Sequence, residues 1–109
     1  MIEVLLGSVN KERVLIYLVA RKSGYAREIA RYYESELTPI QSQLRNLENA
    51  NILASQSVGK TRVYSLNPRY PFTKELVNLI EKAIYFLPDE EKQKLTVYRT
   101  RPRRTGKEI

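Results

Sequence analysis

Apolar residues recur at helical spacing in three short stretches before residue 50, give way to two strand-like stretches around a turn glycine, and return at helical spacing between residues 76 and 87. No other feature restricts this chain as much. Each helical stretch has an apolar stripe to bury. Two strands alone are marginal in water, so they must lie against the helices. A length of 109 residues supplies one domain with one modest core.

The first helix is expected from about Asn10 to Lys22. Asn10 is its cap, Val14, Leu15, Leu18 and Val19 are its buried stripe, and Ser23-Gly24 is its stop. The apolar leader Ile2 to Leu6 reads as a short extra helix. A second helix spans about Ala26 to Glu34, with Ile29, Ala30 and Tyr33 inward and Arg27, Glu28 and Arg31 outward. The third carries the clearest start. Thr38 can cap it, Pro39 falls in the first turn where a missing N–H costs nothing, and Gln41 has the capping-box spacing. A start with Glu36 as cap and Leu37 inside is the alternative. Ile40, Leu44 and Leu47 form its stripe, and Asn51 suits a left-handed stop after Ala50.

Ile52 to Ser57 and Arg62 to Leu66 then read as strands joined by Val58-Gly59-Lys60-Thr61. After Asn67-Pro68 and Pro71 comes a long helix reaching about Leu87. Its stripe, Leu76, Leu79, Ile80, Ala83, Ile84 and Leu87, is wider than a three-helix core needs. The excess predicts a helix-to-helix seam between two copies, with the leader Ile2–Leu6 packed on it. The expected division is a domain over 1–87 ending in this dimerisation helix, then 88–109 as a short helical turn and a basic tail.

Composition removes whole classes of chemistry. With no cysteine and no histidine, disulfides, thiolate or imidazole metal sites, cysteine nucleophiles and Ser-His-Asp triads are impossible. The acidic residues are scattered among basic ones. No catalytic residue, metal site or cofactor is therefore expected, and the chain reads as a binding protein rather than an enzyme. Lys and Arg exceed Asp and Glu by twelve to eight over 1–87 and by seven to four over 88–109, for a net charge of +7. A basic surplus suits a polyanion, most often nucleic acid. No apolar run is long enough to span a bilayer and no basic leader precedes Ile2, so a cytoplasmic protein without membrane contact is expected.

Three helices followed by a hairpin with a charged tip is the winged helix-turn-helix order. The residues themselves resemble the ArsR-like and MarR-like transcriptional regulators. Ala26-Arg27-Glu28-Ile29-Ala30 is similar to the start of their second helix, and Gln43 to Leu53 to the end of their recognition helix and the approach to the wing. Gly59 to Asn67 resembles their wing turn and returning strand. Asn67-Pro68-Arg69-Tyr70-Pro71-Phe72 resembles the linker of a prokaryotic subgroup, some of whose members are encoded beside nucleotidyltransferases. There are departures. Tyr32 to Leu37 is longer than the family's tight turn and has no glycine, and Asn51 stands where the family usually has one. The Cys and His ligands of metal-sensing members are missing.

The resemblance implies a mostly α fold with a small β-hairpin, and a homodimer binding double-stranded DNA. The residues fit that use. Thr38, Ser42, Arg45, Asn46 and Asn49 fall opposite the buried stripe of the third helix, flanked by Pro39, Gln41 and Gln43. Amide side chains pair with adenine edges and Arg with guanine or phosphate, so residues of about 38–50 are the expected major-groove reader. Lys60, Thr61 and Arg62, in the wing 58–62, suit the backbone or a minor groove. Arg27 and Tyr25 can add phosphate contacts at the start of the second helix. The other reading is a winged-helix interaction module that pairs with an enzyme such as a nucleotidyltransferase.

Overall fold

The computed structural model describes residues 1–96. The order of elements is α1 (Glu3–Leu6), α2 (Val9–Arg21), α3 (Ala26–Tyr33), α4 (Leu37–Asn49), β1 (Leu53–Val58), β2 (Thr61–Leu66) and α5 (Thr73–Tyr85). Residues 89–96 are also helical and are called α6.

The hub is α2. Val14 through Val19 are all buried, so this helix is enclosed on more sides than the four-residue stripe read from sequence. Helices α1, α3, α4 and α5 and strand β2 all pack on it. Its cap falls two residues earlier than expected, at Ser8 rather than Asn10. The Lys11 N–H donates to Ser8 Oγ at 3.0 Å, and Asn10 instead accepts from Arg13. It ends at Arg21, where Lys22 turns left-handed at φ 77°.

The link from α3 to α4 is tighter than its residues suggested. Only Glu34 to Glu36 separate the helices, and Glu34 adopts the left-handed conformation (φ 52°) in place of the missing glycine. Helix α4 then follows the alternative start: Glu36 is the capping position and Leu37 the first helical residue, so Thr38 is not the cap. Pro39 still falls in the first turn, where its missing N–H needs no partner. Ile40, Leu44 and Leu47 are buried as the stripe required. Asn51 takes φ 67°, and the N–H groups of Asn51 and Ile52 return to the carbonyls of Glu48 and Leu47. These two bonds close a Schellman stop without glycine.

The hairpin is antiparallel with Leu53 opposite Leu66 and Val58 opposite Thr61. Both strands are one residue longer at the tip than expected, which leaves Gly59-Lys60 as a two-residue turn. Gly59 supplies the positive φ (64°) that such a turn needs at its first position. A bridge from Gly24 to Tyr64 ties the wing to the segment before α3.

Helix α5 packs on α2, so part of the stripe expected at a seam between two copies is taken up within the monomer. Ile80 and Ala83 are buried within the monomer, and Leu76, Ile84 and Leu87 lie against the same core. Of the six residues given to the seam, Leu79 alone is half-exposed and outside that cluster. The surplus width was already needed by α2. The expected division after residue 87 also moves. Leu95 of α6 is buried in the core, and Arg21 donates to the Leu95 and Lys94 carbonyls. Residues 88–96 therefore belong to the domain, while the basic stretch 99–107 lies outside the described residues.

Candidate nucleic-acid interface

Three elements meet around a cleft of about 380 Å³: the start of α3, one side of α4, and the wing. Its floor is Leu37, Leu44, Tyr64 and Ala26. Its polar rim is Tyr25, Arg27, Gln41, Arg45, Lys60, Thr61 and Arg62. Seven of the thirteen residues picked from sequence are thus brought to one place from three separate stretches of chain.

Helical geometry explains which residues of α4 take part. Leu44 points into the core. Gln41 and Arg45 lie one step round the helix, on the side that turns to the wing. Another step round, Thr38, Ser42 and Asn46 are exposed on the outward face. Pro39 and Gln43 sit on the opposite flank and are half-buried. The Gln43 side-chain oxygen is buried and has no hydrogen-bond partner among the described residues, so Gln43 does not belong to the open reading face. Glu28, expected to point outward, instead turns back and accepts from the Tyr25 N–H at 3.4 Å, helping to close the start of α3.

The electrostatics of the cleft are one-sided. Arg27, Arg45, Lys60 and Arg62 surround it, and no carboxylate is among its lining residues. Among the described residues these four cations make no ion pair and donate no side-chain hydrogen bond. The positive end of α3 adds to the same field, because Ala26 and Arg27 begin that helix at the rim. Burial pushes the Tyr64 hydroxyl above the ordinary range, helped by the charge of Glu48. Arg62 and Arg45 oppose that push, so both guanidinium groups act on the cleft floor. Four cations held around a water-filled space repel one another until an anion with several charges enters.

Two features escaped the sequence reading. Glu48 accepts a 2.6 Å hydrogen bond from Ser55, clipping α4 to β1. Gly24 pairs with Tyr64 as a single-residue strand. Neither leaves a periodic trace, since each is one residue meeting a distant one. Among the described residues, no group of three or more acidic side chains could hold a metal ion.

A three-helix body, a hairpin wing beside the third helix, and a long following helix define the winged helix-turn-helix fold. Solved structures agree. MepR, a transcription regulator of the Staphylococcus aureus multidrug efflux pump MepA, is similar over 95% of this chain and 83% of its own, with TM-score 0.58 and 15% identity. YusO from Bacillus subtilis matches 89% of this chain and 74% of its own, with TM-score 0.56 and 23% identity. A variant of ZitR from Lactococcus lactis matches 92% and 75%, with TM-score 0.55 and 16% identity. No protein-family model and no curated protein sequence matches the chain.

Proposed function

We propose that this protein is a DNA-binding transcription regulator of the MarR-like kind that acts as a homodimer in the cytoplasm and carries out no catalysis. In this reading α4 enters the major groove and reads bases with Gln41, Ser42, Arg45 and Asn46. The wing sets Lys60, Thr61 and Arg62 on the backbone or minor groove, and Arg27 and Tyr25 hold a phosphate. The observation that carries the reading is the cleft in which Arg27, Arg45, Lys60 and Arg62 converge from α3, α4 and the wing with no ionic partner among the described residues. The solved structures of similar fold include a transcription regulator, which supports the same role.

Homodimerisation rests on large apolar residues that stand exposed among the described residues. Val4 and Leu5 of α1 are 91% and 67% exposed, and Tyr85 and Phe86 at the end of α5 are 69% and 64% exposed. Large apolar side chains in that state favour a second copy over water. Light scattering should give twice the chain mass, and a monomer at micromolar concentration would remove this part of the reading. No described helix is long and apolar enough to cross a membrane.

The test is competition between a duplex selected from random DNA and an unselected duplex. Gln41→Ala, Ser42→Ala, Arg45→Ala and Asn46→Ala should each lose about 1–3 kcal/mol of preference for the selected duplex and less than about 1 kcal/mol of stability. Leu44→Ala is the control; its cavity should cost about 2–5 kcal/mol of stability and disable binding to both duplexes. If all four stable variants bind both duplexes as the parent does, α4 does not read DNA, and the protein-interaction module takes its place.

A further inference from the structure

One rung of the wing is gripped from both sides. Ser55 of β1 and Tyr64 of β2 face each other in the strand register. On one side, Ser55 Oγ donates to Glu48 Oε2 of α4 at 2.6 Å in a half-buried setting. A hydroxyl bonded to a carboxylate at that distance is a strong tether. On the other side, the Tyr64 backbone exchanges two hydrogen bonds with Gly24, at 3.0 and 2.8 Å. That grip requires glycine, because a Cβ at position 24 would stand 2.7 Å from Cε1 of the fully buried Tyr17 ring.

Beyond this rung the wing projects. Residues 56–60 are exposed, and none of them hydrogen-bonds to a helix among the described residues. The turn lies four residues out from Ser55, a lever of roughly 13 Å. A rotation of about 15° at the rung would move the tip by roughly 3 Å on that lever, as much as one hydrogen-bond length. Arg45 of α4 and Arg62 of the wing line the cleft together with Tyr64 of this rung.

We infer that Glu48 is a positioning residue: by accepting from Ser55 it fixes the angle of the wing over the cleft, so that the wing cations and α4 reach one polyanion at the same time. The inference rests on the nucleic-acid reading above for its consequence but not for its geometry. Glu48 is engaged by Ser55 and is not among the residues that line the cleft.

The chain has no cysteine, so spin labels can be placed at Val58→Cys on the wing and Arg31→Cys on α3, both exposed positions. Labelled protein is diluted into unlabelled protein so that pairs within one chain dominate. Ser55→Ala keeps every charge and should broaden the label-to-label distance distribution. Glu48→Ala should broaden it equally, and the double variant no further. Glu48→Gln keeps an acceptor and should retain the parental distribution. In duplex titration Ser55→Ala should bind roughly two- to tenfold more weakly, the scale of one hydrogen bond, and Lys60→Ala with Arg62→Ala should cost less in that background than in the parent. Parental distances in both Ser55→Ala and Glu48→Ala would overturn the inference, as would broadened distances with unchanged duplex affinity. If the parent itself binds no duplex, the proposed function fails, while the distances still decide whether Glu48 sets the wing.

Discussion

At its C-terminal end α3 delivers Tyr32 and Tyr33 to a stack of cations. Arg21 lies over the rings of Tyr17 and Tyr32, each 4.7 Å away, Lys94 lies over Tyr32 at 4.9 Å, and Arg13 over Tyr33 at 5.4 Å. Tyr32 also donates to Glu91 at 3.3 Å, and Arg21 donates to the Tyr17 hydroxyl at 2.9 Å. Helix α3 is eight residues long, about 12 Å. At its other end, Arg27 joins Arg45, Lys60 and Arg62 around an open cleft, where among the described residues none of the four lies over an aromatic ring or pairs with a carboxylate. The same residue types thus do two kinds of work. Cations laid on aromatic faces fasten α6 and α2 to α3. Cations left in water around a cleft make a field for a ligand. A net charge of +7 says nothing of this division; the placement of each cation does.

The sharpest way to break that contrast is to remove one arginine from each end. Arg21→Ala strips a cation from the faces of Tyr17 and Tyr32 together with its hydrogen bonds to the Tyr17 hydroxyl and to the carbonyls of α6, and should lower stability by about 2 kcal/mol. Arg45→Ala, at an exposed position, should change it by less than about 0.5 kcal/mol. Thermal melts of the two variants decide the matter, and equal melting temperatures would end the distinction between structural and free cations.

The cleft end can be probed through salt. Duplex affinity should fall steeply as salt rises, because each neutralised phosphate releases counterions. Replacing Lys60 and Arg62 together by alanine should weaken binding to all sequences and flatten the logarithmic salt slope by about one unit for each phosphate that the wing no longer neutralises. A slope identical to the parent's would take the wing off the backbone.

The smallest effect belongs to the aromatic end and appears only in alkali. Burial, with the charge of Glu91 behind it, pushes the Tyr32 hydroxyl from 10.0 up to about 12. Burial raises the hydroxyls of Tyr17 and Tyr33 as well. The unfolded chain gives up these protons from about pH 10, while the folded chain holds them, so the unfolded state binds fewer protons. Stability should therefore be flat in this respect below pH 10 and fall between pH 10 and 12. Urea midpoints measured across that range should show the decline, and Tyr32→Phe should flatten it. A decline of the same slope in Tyr32→Phe would mean that Tyr32 does not hold its proton in the folded chain beyond its ordinary range.

The elements and much of the cleft are legible along the chain, because they follow from local backbone geometry. Ile40, Leu44 and Leu47 recur at a spacing that only a helix can bury on one side, and once they point inward Ser42, Arg45 and Asn46 must point outward. Gly59 between two strand-like stretches forces a turn, which puts Lys60 at the tip. Everything that depends on which face meets which had to wait for the packed molecule. The stripe of α5 looked wide enough for a partner copy, yet Ile80 and Ala83 are covered by the monomer because α2 is buried over six consecutive residues and needs cover on every side. Gln43 and Gln41 are equivalent as sequence, two amides flanking one helix face. The wing folds over one flank, so Gln41 opens to the cleft while the Gln43 oxygen is buried. Periodicity fixes the angle of a side chain about its own helix axis and leaves undetermined which neighbour occupies that direction, because that neighbour comes from a distant part of the chain.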